Sequence, residues 1–327
     1  MKKHIFVLYT GGTIGMSAGS KGLVPDAALA GKALAPFAAR CDFDWHICNS
    51  LIDSSAVTLK NWQDWLTVLQ DKIPQYDGVL VLHGTDTLAY TANIFALALK
   101  GLNKPVVLTG SQWPYDSEHS DAPLNLATAV AALELPDMKD VVLAFNGKLF
   151  PAVGSSKIST ESADGFDNAH FGVLGVWHEE AGWGRLCLSE KTAEPFVVQA
   201  IDVQANVECY TLIPGVMADT AARNIAGNAA DAVILQTYGH GNVPDNRALI
   251  EAVRHVTQQG KLVLNISQVP QGCAAAVYAQ GSALREAGAV SGGKCNLETA
   301  VALLTLAAGK RADIQWLESE LQRLGLR

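Results

Sequence analysis

The stretch FVLYTGGTIGM, residues 6–16, joins a short apolar run to a turn with two adjacent glycines followed by a threonine. The apolar run predicts a buried strand of the kind found in parallel sheets covered by helices. Gly11 and Gly12 can adopt backbone angles that other residues avoid, so the chain can turn sharply after the strand. We therefore expect Thr13 to lie beyond the carboxyl end of the first strand.

The rest of the chain alternates between strand and helix patterns. The run GVLVLHG, residues 78–84, is continuously apolar like the first, while Trp62, Leu66 and Leu69 recur at helical spacing. Thr58 is the expected N-cap of that helix. Strands that alternate with helices of this length predict parallel βαβ units, hence an α/β fold.

One interruption in this alternation divides the chain. Glycine, serine and charged residues dominate residues 151–205, after which strands and helices resume. A chain of 327 residues is also too long for one compact core. We predict two domains, each with a mainly parallel sheet flanked by helices: an N-terminal catalytic domain at residues 1–190, a linker at 191–209 and a smaller C-terminal domain at 210–327.

Composition and charge exclude several classes of protein. Hydrophobic residues make up 49% and charged residues 17%, which is typical of a packed globular protein and not of a disordered one. The net charge of −8 and the lack of a Lys/Arg-rich block argue against a nucleic-acid partner. No stretch approaches the roughly 18 apolar residues of a membrane span, so we expect no membrane partner.

The start of the chain and its cysteines indicate a compartment. The apolar run after the first lysines is too short for a signal peptide. The six cysteines contain no Cys-x-x-Cys pair, which favours reduced thiols over a zinc site or a disulfide framework. We therefore expect a cytoplasmic protein without a bound metal.

Small polar side chains follow four predicted strands. Because the carboxyl ends of parallel strands meet at one edge of a sheet, these side chains predict a site for a small, charged, hydrogen-bonding molecule. The glycine spacing of the first turn fits neither the dinucleotide fingerprint nor the P-loop, so we expect no nucleotide there. The four segments are residues 10–13, 53–55, 83–87 and 109–112.

Several motifs together resemble the signatures of the bacterial two-domain L-asparaginases. They are YTGGTIGM, DSS, VLHGTDTLAYTA, TGSQ and a lysine ahead of ADGFDN, in that order along almost the whole chain. The lack of a signal sequence makes the chain similar to the cytoplasmic type I branch. The resemblance implies an asparaginase-like fold and hydrolysis of L-asparagine to L-aspartate and ammonia, without metal or organic cofactor. It also implies a homodimer or homotetramer in which a neighbour's C-terminal domain completes each pocket.

The resemblance implies four catalytic residues. Thr13 would be the nucleophile that forms an acyl-enzyme, and Thr85, Asp86 and Lys157 would form the cluster that activates the reaction. A lysine beside a carboxylate can accept or orient a proton when its pKa is tuned. Thr85 also follows a strand and a glycine, so spacing alone does not choose between the two threonines. We assign the attack to Thr13 because its glycine turn lets it approach a carbonyl.

The same resemblance implies the groups that bind substrate. Asp53 and Ser54 match the positions that hold the α-carboxylate and α-amino ends, and Ser55, one residue further on, is an alternative for the hydroxyl. Thr85 and Asp86 also belong to this set, with Asp86 as the counter-charge of the substrate's α-ammonium group.

One position departs from the family pattern. Family members often carry a tyrosine in the loop after the first threonine, where this chain has Leu23. Leucine cannot relay a proton or bond a hydroxyl. We therefore consider Tyr278, in the domain that a neighbour would contribute, as the residue that supplies the missing hydroxyl.

Other functions remain open at this point. A glutaminase-asparaginase with broader amide specificity would share all these residues, and so would an amidotransferase subunit that deamidates a charged tRNA. The tRNA system normally has a further N-terminal domain and a basic surface, which this acidic chain does not suggest. A sensor that only binds an amino acid is the alternative from another class, but binding alone does not require a nucleophile and a base.

Overall fold

The computed structural model of the chain describes residues 2–19, 22–25, 27–49, 51–188, 194–227, 229–275 and 279–327. The chain divides into two compact units, Met1–Gln199 and Ala200–Arg327. The division falls inside the stretch 191–209 that we predicted as a linker, part of which forms short strands.

The first unit alternates strands and helices as far as β8 and then continues in short strands. Its elements are β1 (Lys3–Tyr9), β2 (Met16–Gly19), β3 (Gly22–Pro25), α1 (Ala27–Leu34), β4 (Cys41–Ile47), α2 (Leu59–Lys72), β5 (Gly78–Leu82), α3 (Leu88–Ala98), β6 (Leu99–Lys100), β7 (Val106–Thr109), α4 (Ala122–Leu133), β8 (Val141–Phe145), β9 (Lys148–Pro151), β10 (Ser156–Lys157), β11 (Phe166–Asp167), β12 (Gly175–His178), β13 (Gly182–Trp183) and β14 (Val197–Val198).

The large sheet of this unit has the strand order β13-β12-β9-β8-β7-β5-β1-β4. Pairing is parallel from β4 through β1, β5 and β7 to β8, and antiparallel from β8 outward. Every residue of β5 is buried, as the continuous apolar run predicted. Trp62, Leu66 and Leu69 of α2 are also buried, and Thr58 caps that helix in a capping box with Asn61.

The sheet order brings the polar turns to one edge. Because β1, β5 and β7 are adjacent and parallel, the segments that follow their last residues leave the sheet side by side. Backbone hydrogen bonds continue the contact beyond the strands: Thr10 donates to Leu82, and Ile52 donates to Thr10. The convergence predicted from the sequence is therefore present.

The second unit has a four-stranded parallel sheet with helices packed against it, whose strands in spatial order are β15 (Val207–Thr211), β16 (Ala232–Thr237), β17 (Leu262–Ser267) and β18 (Val290–Ser291). No helix in the described ranges of the chain is long and apolar enough to cross a membrane. The predicted α/β class, with mainly parallel sheets, is confirmed. The helices of this second unit are α5 (Met217–Ala226), α6 (Arg247–Gln258), α7 (Ala279–Glu286), α8 (Leu297–Lys310) and α9 (Ile314–Arg323).

Candidate active site

The turn after β1 requires both of its glycines. Gly11 and Gly12 have φ angles of +121° and +97°, a region that side chains rarely adopt. A Cβ on Gly11 would lie 2.4 Å from the carbonyl oxygen of Ile52, and one on Gly12 would lie 2.4 Å from the amide nitrogen of Gly84. The backbone of the turn after β1 is thus in direct contact with the backbone of the turn after β5.

Thr13 follows this contact and begins a single 3-10 turn, Thr13–Gly15. Thr13 is half-buried, whereas its neighbour Ile14 is fully buried. The hydroxyl of the buried Tyr9 donates to the carbonyl oxygen of Gly15 at 3.1 Å and holds the far end of the turn. Since Thr85 directly follows Gly84, the Gly12–Gly84 contact places both threonine-bearing segments at the same point of the sheet edge.

The segment after Thr13 forms a hairpin of β2 and β3. The backbone of Leu23 pairs with Ala18 in this hairpin. We had treated this segment as a loop after the first threonine, whereas its backbone forms paired strands.

Thr85, Asp86 and Lys157 form one hydrogen-bonded cluster. The Nζ atom of Lys157 donates to Oγ1 of Thr85 at 2.8 Å and to Oδ1 of Asp86 at 2.7 Å. The Lys157 side chain is 16% exposed and that of Asp86 is 58% exposed. The ammonium group is therefore largely withdrawn from solvent, while the carboxylate remains open to a ligand.

Lys157 is held in place by short antiparallel pairing. It lies in β10 opposite Phe166 of β11, and Phe166 is buried against Phe145 with ring centroids 4.8 Å apart. The amide of Ile158 donates to the carbonyl oxygen of Gly165 at 2.8 Å and closes the intervening loop. The core packing of Phe166 thus fixes the strand from which the lysine projects.

The DSS segment fills different roles at successive positions. Ser54 is buried, its Oγ accepts from the amide of Asp86 at 3.2 Å, and its carbonyl oxygen accepts from the hydroxyl of Thr87 at 2.7 Å. Asp53 and Ser55 are exposed beside it, where the Asp53 carboxylate accepts from the amide of Ser55 at 2.9 Å. Ser54 therefore holds the Thr85–Thr87 turn, whereas Asp53 and Ser55 present their side chains at the surface.

Gln112 is a polar strand-end residue to which we had assigned no role. Its Oε1 lies 3.3 Å from Oγ1 of Thr85, and its Nε2 donates to the carbonyl oxygens of Ser159 and Ser162 at 2.9 and 3.2 Å. Its position in the sequence indicated a place near the site, because it follows β7, and β7 pairs with β5, the strand that precedes Thr85. Its partners were not visible there because they lie far along the chain.

A buried chain of hydrogen bonds lies behind the Thr85 turn. His83 bonds the carbonyl oxygen of Gly84 through Nδ1 at 2.7 Å and Oγ1 of Thr91 through Nε2 at 2.9 Å, and Nε1 of Trp62 donates to the same Oγ1. Desolvation by burial lowers the pKa of His83 to about 4. The imidazole is therefore neutral, with its Nδ1 proton directed to Gly84.

Two further predictions concern Tyr278 and the absence of a metal site. Tyr278 lies outside the described residues. Within the part of the chain that the structure describes, no three His, Cys, Asp or Glu side chains are grouped so as to hold a metal ion. What the arrangement offers chemically is a hydroxyl on a tight turn beside a hydroxyl–ammonium–carboxylate cluster, which is suited to acyl transfer and proton handling.

Two family models match the chain: the N-terminal asparaginase model at residues 4–185 and the glutaminase/asparaginase C-terminal domain model at residues 206–319. Over 338 aligned residues the chain is 31% identical to L-asparaginase 1 of Escherichia coli K12, and the alignment covers 98% of this chain and 96% of that protein. The crystal structure of L-asparaginase I from Vibrio cholerae has a TM-score of 0.86 at 30% identity and covers 98% and 97% of the two chains. The probable cytoplasmic L-asparaginase of Campylobacter jejuni has a TM-score of 0.78 at 26% identity, with coverage of 98% and 99%.

Proposed function

This chain belongs to the asparaginase family and is an L-asparagine amidohydrolase, and we propose that Thr13 is the nucleophile of its reaction. The observation that carries the proposal is the double hydrogen bond of Lys157 to Thr85 and Asp86, next to the Gly12–Gly84 contact that leads to Thr13. One group attacks while a separate cluster handles protons, as amide hydrolysis requires.

In the first half of the reaction, Oγ of Thr13 bonds to the side-chain amide carbon of asparagine. The C–N bond breaks, the nitrogen takes up the hydroxyl proton, and ammonia leaves an acyl ester on Thr13. In the second half a water molecule, oriented by the Thr85–Lys157–Asp86 cluster, attacks the ester carbon. Aspartate leaves and the proton returns to Thr13, so the enzyme is unchanged over the cycle.

Substrate recognition is proposed to use the exposed groups of the same edge. The Asp86 carboxylate is exposed to solvent on the side away from Lys157, and its negative charge attracts the substrate's α-ammonium group. Asp53 and Ser55 lie exposed on the neighbouring turn, and Ser54 connects that turn to Asp86. Of the two serines, Ser55 has the more accessible hydroxyl, so it is the one we propose for contact with the α-carboxylate.

The reaction needs no metal or organic cofactor under this proposal. We further propose that the protein acts in the cytoplasm as a homodimer or homotetramer, without nucleic-acid or membrane partners, and that residues 1–190 form the catalytic domain and 210–327 the smaller one. Sedimentation velocity of the active protein tests the assembly, and a fully active monomer would contradict it.

We also propose that Tyr278 of a neighbouring subunit supplies the hydroxyl that Leu23 lacks. Tyr278→Phe tests this role, and unchanged kcat and KM in that variant would exclude it.

The nucleophile is tested by trapping. An activated acyl substrate is incubated with the wild-type protein and with Thr13→Ala and Thr85→Ala, and the modified residue is identified by mass spectrometry. We expect an adduct on Thr13 in the wild type and none in Thr13→Ala. An adduct on Thr85 in Thr13→Ala, with turnover retained, would reverse the assignment.

Broader amide specificity is the second candidate function, because nothing in the cluster distinguishes asparagine from its longer homologue. Ammonia release from L-asparagine and L-glutamine, compared as kcat/KM, measures it. Equal values would make the protein a glutaminase-asparaginase, and no ammonia from either amide would leave only an amino-acid sensor.

A further inference from the structure

Gln112 connects three segments that converge on the proposed active site. Its side chain contacts Thr85 through Oε1 and the loop after Lys157 through Nε2, which donates to the carbonyl oxygens of Ser159 and Ser162. It also lies at the carboxyl end of β7. A single side chain therefore touches both the threonine of the cluster and the loop that follows the lysine.

The two carbonyl oxygens determine which way the Gln112 amide faces. A carbonyl oxygen only accepts hydrogen bonds, so the end of the amide that faces Ser159 and Ser162 must be the NH₂ group. The oxygen of the amide then faces Thr85 and can only accept. The Thr85 hydroxyl must therefore donate its proton to Gln112.

This orientation decides how Thr85 and Lys157 interact. The hydroxyl proton of Thr85 points to Gln112, so the lone pairs of Oγ1 are available to the Nζ–H of Lys157 at 2.8 Å. The Oγ1–Oε1 separation of 3.3 Å is long for an O–H···O bond. Such bonds are often long without substrate and shorten when it is bound.

The backbone of Gln112 is fixed independently of its side chain. Its amide donates to both carboxylate oxygens of Asp121 at 3.0 Å, and the amide of Trp113 donates to the same group at 3.1 Å. Asp121 is buried and accepts a further bond from Nδ2 of Asn125 at 2.9 Å. The point from which the Gln112 side chain projects is thus rigidly held.

We propose that Gln112 is a positioning residue for the reaction, which orients the Thr85 hydroxyl and fixes the distance between Thr85 and Lys157. The inference rests on the proposed function and deepens it. Gln112 acts through Thr85 and the loop after Lys157, and it exchanges no proton or bond with the substrate.

Three variants test this role. Gln112→Met has a similar length but loses both the acceptor and the donor, and Gln112→Glu keeps the acceptor towards Thr85 while its ionised form faces two carbonyl oxygens without a donor. Gln75→Met is the matched control, because Gln75 also donates to a main-chain carbonyl, that of Asp71, but lies exposed just beyond the end of α2. We expect Gln112→Met to lower kcat about ten- to a hundredfold with KM changed less than about threefold, and Gln75→Met to change neither.

The pH dependence of kcat distinguishes a positioning role of Gln112 from a role in packing alone. When protonated, the carboxyl of Gln112→Glu donates its single O–H to one of the Ser159 and Ser162 carbonyls, which restores one of the two bonds that the amide makes, and it still accepts from Thr85. Its kcat relative to wild type should therefore rise as the pH is lowered, while the deficit of Gln112→Met stays constant. The charged groups around this position on the elements packed against it are Asp86, Asp121, Lys157, Glu161 and Asp164, the last paired with Lys148.

Each result decides one hypothesis. If the wild type releases no ammonia from asparagine, the proposed function fails, and crystal structures then test Gln112 alone: a Lys157–Thr85 distance still near 2.8 Å in Gln112→Met would overturn the inference, and a longer one would support it. If the wild type is active, wild-type kcat in Gln112→Met overturns it. So does a constant deficit of Gln112→Glu across the pH range, whereas recovery at low pH supports it.

Discussion

Nζ of Lys157 lies 2.8 Å from Oγ1 of Thr85, although the two residues are 72 positions apart in the chain. Thr85 follows the buried strand β5, and Lys157 projects from the two-residue strand β10, whose partner Phe166 is packed in the core. The cluster therefore depends on the packing of two separate elements, and the predictions below test its parts one at a time.

Loss of either threonine should abolish most turnover. We expect Thr13→Ala and Thr85→Ala each to lower kcat by about three orders of magnitude or more, and the double variant to be little worse than either, because groups that act together are not additive. Thr67→Ala, on the exposed face of α2, should keep wild-type kinetics. Independent, multiplying losses in the double variant would contradict a joint role.

Removing the ammonium group should affect catalysis far more than stability. Lys157→Met should lower kcat at least about a hundredfold, since Thr85 loses its donor and the cluster its proton-handling group. Lys60→Met is the control: Lys60 pairs with Asp64 at 2.9 Å, but both side chains are exposed, so the pair contributes little. Comparable kinetic losses in the two variants would show that charge at position 157 has no special role.

A methyl group on Gly12 should disrupt the site. Gly12→Ala places a Cβ 2.4 Å from the Gly84 amide nitrogen, at a φ of +97°, so we expect a lower melting temperature and a large loss of activity. Gly31→Ala is the matched control, because Gly31 lies in helix α1 with open space around the added Cβ. That change should raise the free energy of unfolding by about 0.5–1 kcal/mol. Calorimetry and an ammonia assay measure both, and a folded, active Gly12→Ala protein would be inconsistent with the contact.

His83 should make stability depend on pH. Its pKa falls from 6.5 to about 4 on folding, so between these values the unfolded chain binds a proton that the folded protein does not. The stabilisation is complete above pH 6.5 and is lost as the pH falls towards 4, by about 3 kcal/mol in total. Urea unfolding at several pH values should show a shallower dependence for His83→Gln than for wild type. An equally steep dependence in the two proteins would contradict the role of His83.

The elements of the fold could be predicted from the sequence, and the residues proposed for catalysis were inferred from it. Side-chain periodicity and glycine placement are local properties, so they identified the buried strand β5, the cap of α2 at Thr58 and the turn at Gly11 and Gly12. The motifs indicated Thr13, Thr85, Asp86 and Lys157 by resemblance. None of these patterns states which side chains touch.

Contacts between distant segments were decided only by the tertiary structure. The sequence could not distinguish Ser54 from Ser55, whereas the fold buries Ser54 under the Thr85 turn and leaves Ser55 exposed. It also gave no partner for Gln112 or His83, because their hydrogen bonds depend on strand order and on how the loops close. A short polar residue at a strand end is compatible with many partners, and the neighbouring strand in the sheet selects one of them.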